Sequence, residues 1–192
     1  MTSRDTILNA IRSNKPQELS LPVIDKEAAI TYPDLYAQFK NVLEAIGGEC
    51  FEAGSEAAAL ELIAGWEKGE TVIQTLNSVP AGLPGRKAEE LAEVDTAILR
   101  GLLAVAENGA IWVTEKEMGN RLLPFIAQQL IIVVNEEAIV PTLHQAYEKI
   151  KVDETGFGVF IAGPSKTADI EQSLVIGAHG PCGMKAVVIR KH

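Results

Sequence analysis

The chain has 192 residues, 47% of them hydrophobic, enough for one sizeable core and too short for two well-built domains. Its net charge of -9 argues against a protein that grips nucleic acid through a basic face or docks on anionic membranes. A local cationic pocket for a small anion is compatible with that balance, because net charge does not fix local potential.

The first residues, MTSRDTILNAIRSNKP, lack the apolar core of a signal peptide and read as a short amphipathic helix. Thr2 and Asp5 make a capping box, and Ile7, Leu8 and Ile11 share a face. Pro16 and Pro22 mark a linker over residues 13–25, so residues 1–25 are expected as helix and linker and residues 26–192 as a single domain. No apolar run approaches the ~20 residues of a transmembrane helix. The two cysteines, Cys50 and Cys182, can supply neither a four-thiolate iron–sulfur or zinc site nor a disulfide framework. Reduced thiols in a cytoplasmic protein are the expectation.

Pro33 opens a helix in which Leu35, Phe39, Val42 and Ile46 recur at helical spacing, stopped by Gly47-Gly48. A strand follows at 49–52, then a helix capped by Ser55 with Leu60, Ile63 and Ala64 inward, then a strand at 71–75. Residues 77–86, with Asn77, Pro80, Gly82, Pro84 and Gly85, form a loop long enough to be functional. Further strands are predicted at 96–100, 110–114, 130–134, 157–162 and 185–190. The LIIVV run at 130–134 is apolar throughout, as in a strand covered on both faces. Between it and Phe157 lies a helix with Val140, Leu143, Tyr147 and Ile150 on one side and Pro141 in its first turn. This alternation predicts an α/β fold, a mostly parallel sheet with helices on both faces. Ligands in such folds bind at the carboxyl ends of strands.

Two places carry candidate chemistry. The first is GPSKTADIEQSLVIGAHGP, residues 163–181. A strand ends before Gly163, and Ser165 or Thr167 is expected to cap a helix beginning near Ala168 and ending at Gly177. The N–H groups and dipole of that helix would favour a phosphate or carboxylate, with Ser165, Lys166 and Thr167 as further donors. Simple capping requires no ligand, and spacing alone favours it. Asp169 and Glu171 also bring negative charge to the same turn. The run is neither a GxxxxGK[ST] loop nor a GxGxxG fingerprint.

The second place is Ala106-Glu107-Asn108-Gly109, where Asn-Gly signals a turn and Glu107 stands at its lip. Partial burial would fit that carboxylate to act as nucleophile or base, while a solvated turn residue is the plainer reading. His179, after a helix end, suits a dipole partner, an anion ligand or a proton shuttle; His144 is a boundary residue. No HxH, HExxH or spaced carboxylate set accompanies them, so no metal site is predicted. Arg86 and Arg121 are suited to meet an anion, though nothing in the sequence assigns them one.

The run Gly163-Pro-Ser-Lys-Thr-Ala-Asp-Ile-Glu171, with Leu174-Val175, Gly177 and His179-Gly-Pro181, closely resembles the C-terminal signature of the LUD-domain family of LutC/YkgG-like lactate-utilisation proteins. Val94-Asp95 through Ile98, then Ala104 to Gly109, resembles the family's middle motif, and Arg121 and Pro124 ahead of LIIVV match as well. The resemblance implies a NagB/RpiA/CoA-transferase-like fold and a role in oxidising L-lactate to pyruvate. It also implies iron–sulfur oxidoreductase partners that carry the clusters, with no cofactor on this chain. It makes Ser165, Thr167, Asp169, Glu171 and His179 a pocket wall facing the Glu107 turn. Asn108, Gly109, Gly163, Lys166 and Gly180 join these as candidate contacts to a small anionic metabolite. The chain departs from the family at Asn108, where a threonine is usual, and at Cys182-Gly183-Met184 after His-Gly-Pro. Ala-Glu-Asn-Gly also looks like the nucleophile motif of class I CoA transferases. A free-standing transferase or ligase-like enzyme using Glu107 is therefore the alternative.

Overall fold

The computed structural model describes residues 2–15, 30–66, 71–151, 156–168, 174–177 and 179–190. Helix α1 (Ser3–Ser13) starts at the predicted capping box. The Asp5 N–H donates to Thr2 Oγ1 at 3.3 Å, and the Thr2 N–H donates to the Asp5 carboxylate at 3.0 Å. No residue of α1 is buried. Helix α2 (Leu35–Ala45) begins after Asp34, whose carboxylate accepts the Ala37 N–H at 2.9 Å, and it buries Tyr36, Phe39 and Leu43. Gly47, at φ +89°, ends it as expected. Strand β1 (Glu49–Ala53) follows, and Ser55 caps α3 (Glu56–Ala64). Ala59 and Ile63 form the buried face of α3; Ala64, expected inward, is exposed. Next come β2 (Val72–Gln74), the short α4 (Ala88–Leu91) and β3 (Thr96–Arg100).

The second half holds β4 (Leu103–Val105), β5 (Ala110–Thr114), the short α5 (Glu115–Met118) and α6 (Leu123–Ile126), and β6 (Gln129–Asn135). It continues with β7 (Ile139–Val140), α7 (Leu143–Lys149), β8 (Gly158–Ile161), β9 (Lys166–Ala168), β10 (Leu174–Ile176) and β11 (Gly183–Ile189). Val140 belongs to β7, and Pro141 precedes the Thr142 cap instead of entering the helix.

A five-stranded central sheet runs β1-β11-β6-β3-β2, and every neighbouring pair in it is parallel. Strand β6 shows why LIIVV is apolar throughout. Ile131 and Val133 pack with Ala59 and Ile63 of α3, while Ile132 and Val134 pack on the other face with Phe39 and Leu43 of α2. Burying each such side chain contributes about 1.5–3 kcal/mol. The fold is thus α/β with a mostly parallel central sheet flanked by helices.

The strands expected at 110–114 and 157–162 join a second, four-stranded sheet, β7-β4-β5-β8, whose β4–β5 and β5–β8 pairs are antiparallel. The Asn-Gly turn accounts for the β4–β5 pair, because a short hairpin returns the chain antiparallel. This sheet stacks on the α2 side of the central one. Gly101 marks the contact, since a Cβ there would lie 2.4 Å from Ile111 Cγ2 and 3.0 Å from Ile132 Cγ2. Helix α7 covers the outer face through Ala146 against Leu103, Val105, Trp112 and Val140. Among the described residues no helix is long and apolar enough to cross a membrane.

The C-terminal run differs from expectation. Lys166–Ala168 and Leu174–Ile176 are not the two ends of a helix; they pair as antiparallel strands, Ala168 opposite Leu174 and Lys166 opposite Ile176. Thr167, Val175 and Ile176 are β-branched, and cross-strand pairing offers their backbone a ladder that outweighs one helical turn. Residues 169–173, which include Asp169, Ile170 and Glu171, lie outside the described residues.

Candidate functional site

Glu107 stands at the turn joining β4 to β5. Its N–H donates to the Pro141 carbonyl at 3.1 Å, and its Oε1 accepts the N–H of Leu143, the first residue of α7, at 2.6 Å. The half-buried carboxylate therefore sits at the positive end of a helix and satisfies one of its free donors. Its other oxygen has no hydrogen-bond partner among the described residues. Asn108 Oδ1 accepts the Ala110 N–H at 3.0 Å, closing the turn on itself. Gly109 is buried at φ +68°, and a Cβ there would lie 3.1 Å from the backbone of Leu43 in α2. Only glycine fits both that torsion and that approach.

Gly163, at φ +70°, approaches the same helix end. A Cβ on it would lie 3.0 Å from the Ile46 carbonyl oxygen and 3.4 Å from Ile46 Cδ1, the same methyl that lies 3.4 Å from a Cβ on Gly109. Lys166 donates through Nζ to that Ile46 carbonyl. Its ammonium thus complements the negative end of α2 and is not directed at an open anion site. Ser165 is held by its backbone, donating to the Pro181 carbonyl at 2.9 Å and accepting the Gly177 N–H at 3.0 Å. Gly180 packs on Ser165, with 3.0 Å between a Cβ built on the glycine and Ser165 Cβ. His179 is exposed on that turn. Thr167 contributes backbone pairing to Val175, and Asp169 and Glu171 lie outside the described residues.

Gly109, Gly163 and Lys166 thus meet at the C-terminal turn of α2, and Ser165 meets Gly180 beside them. Glu107 points instead to α7. The His179–Cys182 turn leads into β11, and the Cys182 N–H donates to the Gln128 carbonyl at 2.8 Å, just before β6. This cluster lies at the amino ends of β6 and β11, opposite the carboxyl ends that the strand–helix alternation marks for ligands. The carboxyl ends carry ion pairs instead. Arg190 bonds Glu52 at 2.9 Å and Glu136 at 3.0 Å and lies 4.2 Å from the Tyr36 ring centroid; Arg100 pairs with Glu56. Behind them, burial pushes the Cys50 thiol up to about 12 and raises Tyr36.

Several residues went unseen in the sequence. Asn120 is only 8% exposed, and its amide donates to the carbonyls of Leu83 at 2.9 Å and Arg86 at 3.0 Å while accepting the Leu122 N–H at 3.0 Å. It fastens the 77–86 loop to the segment after α5. A cleft of about 440 Å³ between Trp66, Asp95, Thr96, Gln128 and Lys185 opens beside the Cys182 turn. Only the asparagine among loop glycines was a usable signal for the first; the second depends on strand order. Among the described residues no group of three or more His, Cys, Asp or Glu is placed to hold a metal ion.

Residues 84–189 match the model of the LUD domain, more than half of the chain, and the chain belongs to that family. Relatives carry the name "Lactate utilization protein C". The one from Geobacillus thermodenitrificans is 34% identical over 130 residues, 65% of this chain and 52% of its own length. That from Oceanobacillus iheyensis is 30% identical over 112 residues, 55% of this chain and 48% of its length. In these first matches the chain spans about half the length of the relative. The namesake from Deinococcus radiodurans is 27% identical over 202 residues, covering 96% of this chain and 92% of that one. The crystal structure of a DUF162 family protein from Deinococcus radiodurans superposes with a TM-score of 0.62 at 19% identity, covering 81% of this chain and 96% of that one. It shares the fold.

Proposed function

We propose that the chain is a cytoplasmic component of L-lactate utilisation, the oxidation of lactate to pyruvate. In this reading it acts beside iron–sulfur oxidoreductase proteins that hold the clusters, and it binds a small anionic metabolite. The observation that carries the reading is the near end-to-end match to a relative named for lactate utilisation. The geometry supports it: the two motif turns are fastened to one helix end through Gly109, Gly163 and Lys166, which makes a rigid platform. Ser165, His179 and Gly180 stand at its margin, available to a ligand or a partner. Affinity purification of the tagged chain from lactate-grown cells tests it. Iron–sulfur proteins should co-elute; their absence from lactate-grown material would count against the partnership.

A second reading follows from Glu107, which has one oxygen anchored by Leu143 and the other unbonded among the described residues. A carboxylate so oriented suits a nucleophile or base in a free-standing transferase or ligase-like enzyme. There, Glu107→Gln should abolish turnover of an acyl or phosphorylated metabolite while leaving the fold intact.

A further inference from the structure

A cleft of about 280 Å³ lies at the β2 side of the molecule, lined by Pro84, Arg86, Glu115, Gly119, Asn120 and Arg121. It brings together two arginines 35 positions apart in a chain of net charge -9. Arg121 is fixed on two sides. Its Nε donates to Glu115 Oε2 at 2.7 Å, its Nη2 forms an ion pair with the same oxygen at 2.6 Å, and its guanidinium lies 5.1 Å from the Phe157 ring centroid. The guanidinium's Nη1 hydrogens make no hydrogen bond among the described residues and are left for another acceptor. The Arg86 guanidinium has no hydrogen bond or ion pair among the described residues. Asn120 holds the Arg86 carbonyl at 3.0 Å from beneath, so the backbones bearing both arginines are locked together. Gly119, at φ +67°, sits where a Cβ would lie 2.6 Å from Val79 Cγ1, so the 77–86 loop packs directly on it.

We infer that this cleft is a binding site for a small carboxylate of a few carbons. Two guanidiniums against one carboxylate leave the lining with net charge +1. A planar guanidinium fork matches the two oxygens of a carboxylate, and one fork here is already immobilised, which lowers the ordering cost of binding. The volume falls just below that of pockets for drug-sized ligands and suits a small metabolite. Glu115 holds Arg121 in place when the cleft is empty and competes mildly with the incoming anion. The site is separate from the Gly163–Gly180 cluster, whose lysine is engaged by α2. The inference rests on the proposed function only for the choice of lactate and pyruvate as first probes.

Calorimetric titration of the full chain at low ionic strength with L-lactate, pyruvate, acetate, phosphate and chloride tests it. The carboxylates should bind and chloride should not. Arg86→Gln, at an exposed position, should weaken binding roughly ten-fold with unchanged melting. Glu115→Gln, whose amide oxygen still accepts from Arg121 Nε while the competing charge is gone, should tighten it by about three-fold. A role in stability alone predicts no tightening. Carboxylate binding no stronger than chloride, an Arg86→Gln protein of unaltered affinity, or a preference for phosphate would each overturn the assignment. Growth on lactate is a separate readout, so loss of this site and loss of the lactate role are distinguishable.

Discussion

At the scale of single residues, the Glu107 carboxylate and the Cys50 thiol lead to measurable consequences. Glu107 accepts the Leu143 N–H at the start of α7. Glu107→Ala should cost about 1 kcal/mol, as loss of a helix cap does, and Glu107→Gln only a few tenths, because its amide oxygen accepts the same proton. Urea midpoints of the two variants check this; equal losses would mean that the bond contributes nothing. The Cys50 thiol is raised by burial from an ordinary 9.0 to about 12, and Tyr36 is raised in the same direction, first by burial and then by Cys50 and Glu52. A folded state that holds its protons more tightly loses ground once the unfolded thiol ionises. This part of the stability is therefore complete below pH 9 and falls as pH rises towards 12. Unfolding free energy should drop as pH rises from 9.0 towards 12, and Cys50→Ala should flatten the drop. A variant as pH-sensitive as the parent would contradict it.

At the scale of elements, legibility followed periodicity and turn chemistry. Helix α2, β3 and β5 stand where the pattern put them, because each presents a consistent face to one core and ends at glycines or a hairpin turn. The 166–176 segment reads as helix in the sequence because Ser165 and Thr167 are helix-capping types, but Val175 and Ile176 gain a pairing across the chain instead. Strands β4 and β7, of three and two residues, are too short for any period to show. Lys166 illustrates the consequence. Read as a donor to an anion, it instead joins the β9–β10 hairpin to the last carbonyls of α2. Lys166→Met should cost about 0.5–1.5 kcal/mol in chemical denaturation. No loss would show that its bond to Ile46 is incidental.

At the scale of the whole molecule, the layers arise from a division visible in β6, alternate residues of which serve two cores. That apolar run and the strand–helix alternation made the fold class readable. The second sheet and the site geometry were not, because the approach of Gly109 to Leu43, that of Ser165 to Gly180, and the placing of Arg86 and Arg121 in one cleft depend on tertiary packing. Strand order also placed the motif turns at the amino ends of β6 and β11, where the carboxyl-end rule does not point. The proposed role of this LUD-domain chain is in lactate utilisation. Growth of a strain lacking its gene, on L-lactate as sole carbon source, tests that most directly. Growth should fail on lactate, persist on glucose and return when the intact gene is restored. Undiminished growth on lactate would contradict that role.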